Sequence, residues 1–203
     1  MRSNLKKFLL RPLMAALIFV TASVAGCSGR GGASPVPSAA ASPPAEWHRL
    51  AAECPVLRNP PYGLPARGKL IAPMRVDSAE KYEVICDYPT AAHLPLLKFH
   101  VVIARAADGY LQTEQDYSRD RAAAGRLVGF DFVDLPQVGD AAYAIYDQGM
   151  WMLQARARSG NAAVQVQILM PREVAESWSV TAPLQQQAPV LAAVTNDFLS
   201  GLR

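Results

Sequence analysis

Between residues 141 and 169 apolar and polar side chains alternate with period two, broken at two turn-forming clusters, Asp147-Gln148-Gly149 and Ser159-Gly160-Asn161. This spacing predicts three antiparallel strands. A three-residue loop at Asp147, Gln148 and Gly149 sets Ile145 opposite Trp151, Tyr143 opposite Leu153 and Ala141 opposite Ala155. The second turn admits two registers, through Ser159 and Gly160 or through Gly160 and Asn161. They differ by two residues, so both keep Leu153, Ala155, Val164, Val166 and Ile168 on one face. The other face then carries Tyr146, Met150, Met152 and Leu169 at one end, and Gln154, Arg156, Gln165 and Gln167 at the other.

Upstream, KYEVICDY and LLKFHVVIAR read as two more strands, the second with Phe99, Val101 and Ile103 on one face and Lys98 and His100 on the other. DYSRDRAAAG predicts a short helix capped by Asp116 or Ser118 and stopped by Gly125. In PVLAAVTNDFLSGL the residues Leu191, Val194, Phe198 and Leu202 form a stripe at helical spacing, with Pro189 in the first turn. EWHRLAAEC suggests another short helix with Trp47, Leu50 and Ala51 inward, and the proline-rich Pro55 to Met74 stretch a surface loop. A sheet with one apolar face and a helix with one apolar stripe bury each other. The expected fold class is therefore α+β, an antiparallel sheet of about five strands with a C-terminal helix on one face.

The N-terminal pattern differs in kind. Arg2, Lys6, Lys7 and Arg11 lead into an apolar run from Leu13 to Ala25, short for a membrane span but suited to a signal-peptide core. Val24, Ala25, Gly26 and Cys27 resemble the lipobox of bacterial lipoproteins. That resemblance implies cleavage after Gly26 and a diacylglycerol on the Cys27 thiol, with a possible N-acyl chain on the new terminus. Two acyl chains anchor a protein where one does not. Residues 1–26 are thus read as a lipoprotein signal peptide, 27–45 as a disordered tether and 46–203 as one extracytoplasmic domain. The tether, rich in Gly, Ser, Ala and Pro, lacks the apolar side chains that would offset the entropy of ordering.

Removing the leader alters the charge. The whole chain has 20 Lys+Arg and 17 Asp+Glu, a net charge of +3, but four of the basic residues lie in the leader. The remainder is close to neutral, which gives no basis for nucleic acid as a partner.

Two cysteines remain in the domain, Cys54 and Cys86. In an oxidising compartment they have one intramolecular pairing available, and the bridge closes a loop of about 33 residues worth roughly 3–4 kcal/mol. Neither has a second Cys or His at ligand spacing, so no metal site is expected.

The order lipobox, low-complexity tether, ECPVL, VICDYP and QVGDAAYAIY, followed by two strands and a terminal helix, resembles the small actinobacterial cell-envelope lipoproteins of unknown function. Those pair an early cysteine with one preceding an aromatic and later carry a Gly-Asp-Ala-Ala-Tyr-like segment. The matching positions are Cys54, Cys86 with Tyr88, and Gly139, Asp140, Ala141, Ala142 and Tyr143. The resemblance implies no catalytic residues.

For chemistry, Ser78 and Lys81 form an S-x-x-K and Ser159 with Asn161 an S-x-N, two elements of serine penicillin-recognising enzymes, but no K-T-G follows. Neither HExxH nor G-x-S-x-G occurs around His48, His93 or His100. Asp116 and Asp120 lie four apart, with Arg119 and Arg121 close enough to make a solvated charge cluster. The Tyr146, Met150, Met152 and Leu169 patch is a contact site for a lipid, peptide or envelope protein, or a surface covered by the Cys54–Cys86 loop. The expected function is that of a non-enzymatic, cofactor-free binding lipoprotein held on the extracytoplasmic face of the cell membrane. The alternative is an envelope hydrolase using Ser78 and Lys81 on cell-wall or ester substrates.

Overall fold

The structure, a computed structural model, describes residues 45–90, 95–127, 129–176 and 183–203. The expected signal peptide, Cys27, His93 and nearly all of the tether lie outside the described residues. The domain is built on one antiparallel sheet of seven strands: β1 (Lys69–Asp77), β2 (Lys81–Tyr88), β3 (Leu96–Ala104), β4 (Phe130–Asp134), β5 (Ala141–Asp147), β6 (Met152–Ser159) and β7 (Ala162–Leu169). Their order across the sheet is β1-β2-β3-β7-β6-β5-β4. Helix α1 (Gly109–Ala124) links β3 to the far edge, α2 (Arg172–Glu176) follows β7, and α3 (Pro183–Leu199) is near the end of the chain.

One face of the sheet is apolar across almost its whole width. Cross-strand pairing aligns Tyr88, Leu97, Ile168, Leu153 and Tyr146 in one row and Cys86, Phe99, Val166, Ala155 and Ala144 in the next. All of these are buried, and α3 seals them with Leu191, Val194 and Phe198. Phe198 lies between two sheet aromatics, its ring centroid 4.3 Å from that of Phe99 and 5.5 Å from that of Tyr88. Leu191, Val194 and Phe198 form the expected helical stripe, but Leu202 lies past the helix end, where it is buried in a bridge to Leu50, and α3 begins six residues before Pro189, which sits inside the helix.

The N-terminal part of the domain packs against this same face. Leu50, Leu57 and Leu64 are buried in the core. Residues 48–51 pair with the chain end through His48 N–H to Arg203 O (2.7 Å) and Ala51 N–H to Gly201 O (2.8 Å). The Cys54–Cys86 bridge is formed, with Cα atoms 6.0 Å apart. Tyr88, fully buried, donates its hydroxyl hydrogen bond to Pro55 O. Two expectations are corrected here. No helix forms over residues 46–54, because the backbone there pairs with the chain terminus, and Ala51 is exposed. The proline-rich stretch is core-packed up to Leu64 and then becomes β1, rather than a surface loop throughout.

The sheet is also wider than about five strands. The two additional strands are its edges. β1 contains Pro73 and shifts register between Leu70 and Arg75, an irregularity that an edge tolerates because one side of the strand needs no partner. β4 is only five residues long.

The β5–β6 turn corrects the hairpin register. Asp147 is the last residue of β5, and its buried carboxylate accepts hydrogen bonds from Gly149 N–H (2.9 Å) and Met150 N–H (3.1 Å). Trp151 closes the turn in the left-handed region at φ 48°. The connection thus uses Gln148 to Trp151, Ile145 faces Gln154, and Tyr143 faces Arg156. This odd shift moves Tyr143 and Ile145 to the sheet's second face. The β6–β7 turn adopts the Gly160-Asn161 option, with Ser159 opposite Ala162. Gly160 has φ +55°, and a Cβ there would lie 1.7 Å from Ala45 O, so both the turn and the incoming chain require glycine.

Candidate functional site

The second face of the sheet is polar. Strand pairing places Tyr143, Arg156, Gln165 and His100 in one row across β5, β6, β7 and β3. The row on one side is Ile145, Gln154, Gln167 and Lys98. On the other side, toward the start of α1, it is Arg158, Ala163, Val102 and Glu83. Helix α1 crosses this face with few apolar side chains to bury; of its sixteen residues Gly109, Thr113 and Ala124 are buried.

Polar contacts tie the helix down instead. Thr113 Oγ1 reaches Asn161 O at 3.2 Å, Arg158 lies over the Tyr110 ring at 5.1 Å, and Arg156 Nη1 donates to Asp120. At the far end Arg121 Nη2 donates to both oxygens of Asp134 at 2.8 Å, and Tyr117 joins a small aromatic cluster with Tyr143, Phe130 and Phe132. Burial in that cluster pushes the Tyr117 phenol up to about 12.

Held at both ends, α1 stands over small side chains in its first half, Val102, Ala104 and Ala163, and leaves a cleft of about 530 Å³. That volume is in the range of ligand pockets, roughly 300–1,000 Å³. Its walls carry Glu80, Lys81, Asp116, Arg119, Asp120 and Arg156, with His100 and Gln165 on the sheet and Gln112 on the helix. Apart from Glu80, the charges are paired. Asp116 accepts from Arg119 at 2.9 Å, Asp120 from Arg156, and Glu83 from both Lys81 Nζ (2.6 Å) and His100 Nε2 (2.7 Å). Lys81 and His100 hold the Glu83 carboxyl below the usual carboxylate range against the opposing effect of burial, the Lys81 hydrogen bond being the largest influence.

The residues singled out from the sequence are placed differently from one another. Met152 and Leu169 pair across β6 and β7 on the cleft's face, but beyond the Gln154–Gln167 row and outside the cleft lining. Met152 is buried, Leu169 is exposed, and Met150 is 59% exposed at the turn. Tyr146 belongs to the opposite face, buried beside Leu153, so the four do not form one patch. Leu57 and Leu64 of the Cys54–Cys86 loop pack on the apolar face, opposite the one that carries Met152 and Leu169.

Ser78 and Lys81 sit at the two ends of the β1–β2 turn, not one helical turn apart. The Ser78 hydroxyl is hydrogen-bonded to the Lys81 backbone, accepting from its N–H at 3.1 Å and donating to its O at 3.2 Å, while the ammonium goes to Glu83. Asn161, of the S-x-N element, is buried and holds Trp47 and Ala104 backbone atoms. Asp116 and Asp120 form the expected charge cluster with Arg119, joined by Arg156 of the sheet, whereas Arg121 pairs with Asp134 instead.

The cleft as a unit was missed from the sequence. Its available signal was the alternation that puts His100, Gln165 and Arg156 on one sheet face, but assembling them needs the β3–β7 pairing. Among the described residues no cluster of His, Cys, Asp and Glu is arranged to hold a metal ion, and no helix is long and apolar enough to cross a membrane. No family model, curated protein or solved structure matches the chain.

Proposed function

We propose that this chain is a lipid-anchored cell-envelope binding protein, tethered through Cys27 to the extracytoplasmic face of the membrane, that holds a small ligand in the cleft beneath α1. The observation that carries the reading is the contrast between the two sheet faces. α3 seals one face, whereas α1 rests on the other through polar contacts and one small aromatic cluster at its far end and leaves about 530 Å³ between itself and the sheet. A helix retained only for stability gains more by burying an apolar stripe, as α3 does. The pairing of Lys81, Arg119, Arg156, Asp116 and Asp120 supports binding rather than catalysis, because a general acid or base needs a proton site free to exchange with substrate. The lipobox resemblance and the Gly/Ser/Pro-rich segment after Cys27 support the anchor.

Two measurements test this. Labelled palmitate incorporates into the chain in a lipoprotein-competent host and fails to incorporate into Cys27→Ser. Native mass spectrometry of the lipidated chain, released from envelopes without denaturation, shows an additional non-covalent mass. A chain that never carries such a mass, from any growth condition, contradicts the binding reading.

A further inference from the structure

Resting on the proposal that the cleft is a ligand site, we infer that its ligand is a neutral, polyhydroxylated molecule, a short saccharide, rather than an ion or an acyl chain. The argument is one of charge and hydrogen-bond supply. The cleft's own cations, Lys81, Arg119 and Arg156, are equal in number to its acids, Glu80, Asp116 and Asp120; Lys81 and His100 both go to Glu83 just beyond the lining, and Glu80 makes no ion pair among the described residues. An anion would have to separate a cation from a carboxylate already at hydrogen-bond distance, and a cation would find one unpaired carboxylate, that of Glu80. A balanced lining also produces no net field to draw an ion in.

Spare hydrogen-bonding capacity remains, and it is of both signs. The side-chain amides of Gln112 and Gln165, on opposite walls, make no hydrogen bond among the described residues. Each offers donors and an acceptor. Arg156, which also lines the cleft, has its Nε buried without a hydrogen-bond partner among the described residues. The paired carboxylates retain further lone pairs. A hydroxyl both donates and accepts, so a run of hydroxyls fits this mixture without breaking any ion pair. An acyl chain would leave these groups dry and unsatisfied. The apolar floor of Val102, Ala104 and Ala163 suits the C–H surface of a sugar ring.

The test uses the full lipidated chain in nanodiscs on an array of neutral, uronate-bearing and phosphate-bearing glycans, followed by calorimetry with the best-bound glycan. The expected result is capture of neutral members, an affinity that changes less than twofold between 50 and 500 mM salt, and roughly tenfold weakening in both Gln112→Leu and Gln165→Leu. Preferential capture of charged members with a tenfold loss in high salt overturns the inference. So does binding that neither glutamine variant affects. If no glycan binds while native mass spectrometry still finds a bound mass, the ligand class is wrong and the cleft reading survives; if neither is found, both fall.

Discussion

Arg156, on strand β6, donates a hydrogen bond to Asp120 of α1, and that contact spans the cleft between helix and sheet. Both side chains remain about one-third exposed, 33% and 35%. It is therefore a local tie rather than a core interaction. Asp120→Asn is expected to lower global stability by less than about 1 kcal/mol. Hydrogen exchange is the sensitive readout: amides of Gly109–Ala124 should lose protection while those of α3 keep theirs. Equal loss in both helices would show that α1 is not separately held.

The opposite face is governed by packing. Phe198 is fully buried, with its ring against Phe99 and Tyr88. Phe198→Ala should cost about 3–5 kcal/mol by chemical denaturation, the range for removing a buried aromatic. A loss below about 1 kcal/mol would mean that α3 does not close the core as described.

The disulfide gives a separate handle. Cys54→Ser combined with Cys86→Ser, which avoids a lone thiol, should lower stability by roughly 3–4 kcal/mol in equilibrium unfolding. Reduction of the parent chain should give a comparable loss. Cys86 is fully buried and Cys54 partly so, and reduction is therefore expected to be slower under native conditions than in denaturant. Rapid native reduction would contradict the placement of the bridge.

Alkaline pH provides a fourth test. Burial raises the phenols of Tyr62 and Tyr117 to about 12, above the ordinary tyrosine value near 10. The unfolded chain then releases these protons first, so stability falls as pH climbs from about 10 to about 12 and levels off beyond. Absorbance titration should resolve late-ionising tyrosines, with fewer of them in Tyr117→Phe. The variant should also show a shallower alkaline loss of stability; an unchanged profile would contradict the buried setting of that phenol.

Much of this fold is legible in the sequence wherever one face must be buried. The alternation in β2, β3, β6 and β7 and the Leu191, Val194 and Phe198 stripe follow from period alone, and the end of α1 from its glycine stop, Gly125. The sheet edges were not legible: Pro73 obscures β1, and five residues of β4 are too few to establish a period. The face assignment of Tyr143 and Ile145 depends on a turn held by the Asp147 carboxylate and a left-handed Trp151, which no periodicity encodes. α1 reads poorly for a physical reason: it buries little apolar surface, so its first seven residues carry no stripe. That same deficiency accompanies the cleft, whose members come from five separate segments of the chain.

The most direct test fills the cleft. Ala163 lies half-buried on its floor, and Ala163→Trp would occupy the space beneath α1. Circular dichroism confirms that the variant is folded, and native mass spectrometry then compares it with the parent chain, both isolated from envelopes. The account predicts a bound mass on the parent and none on the folded variant; the same mass carried equally by both would contradict it.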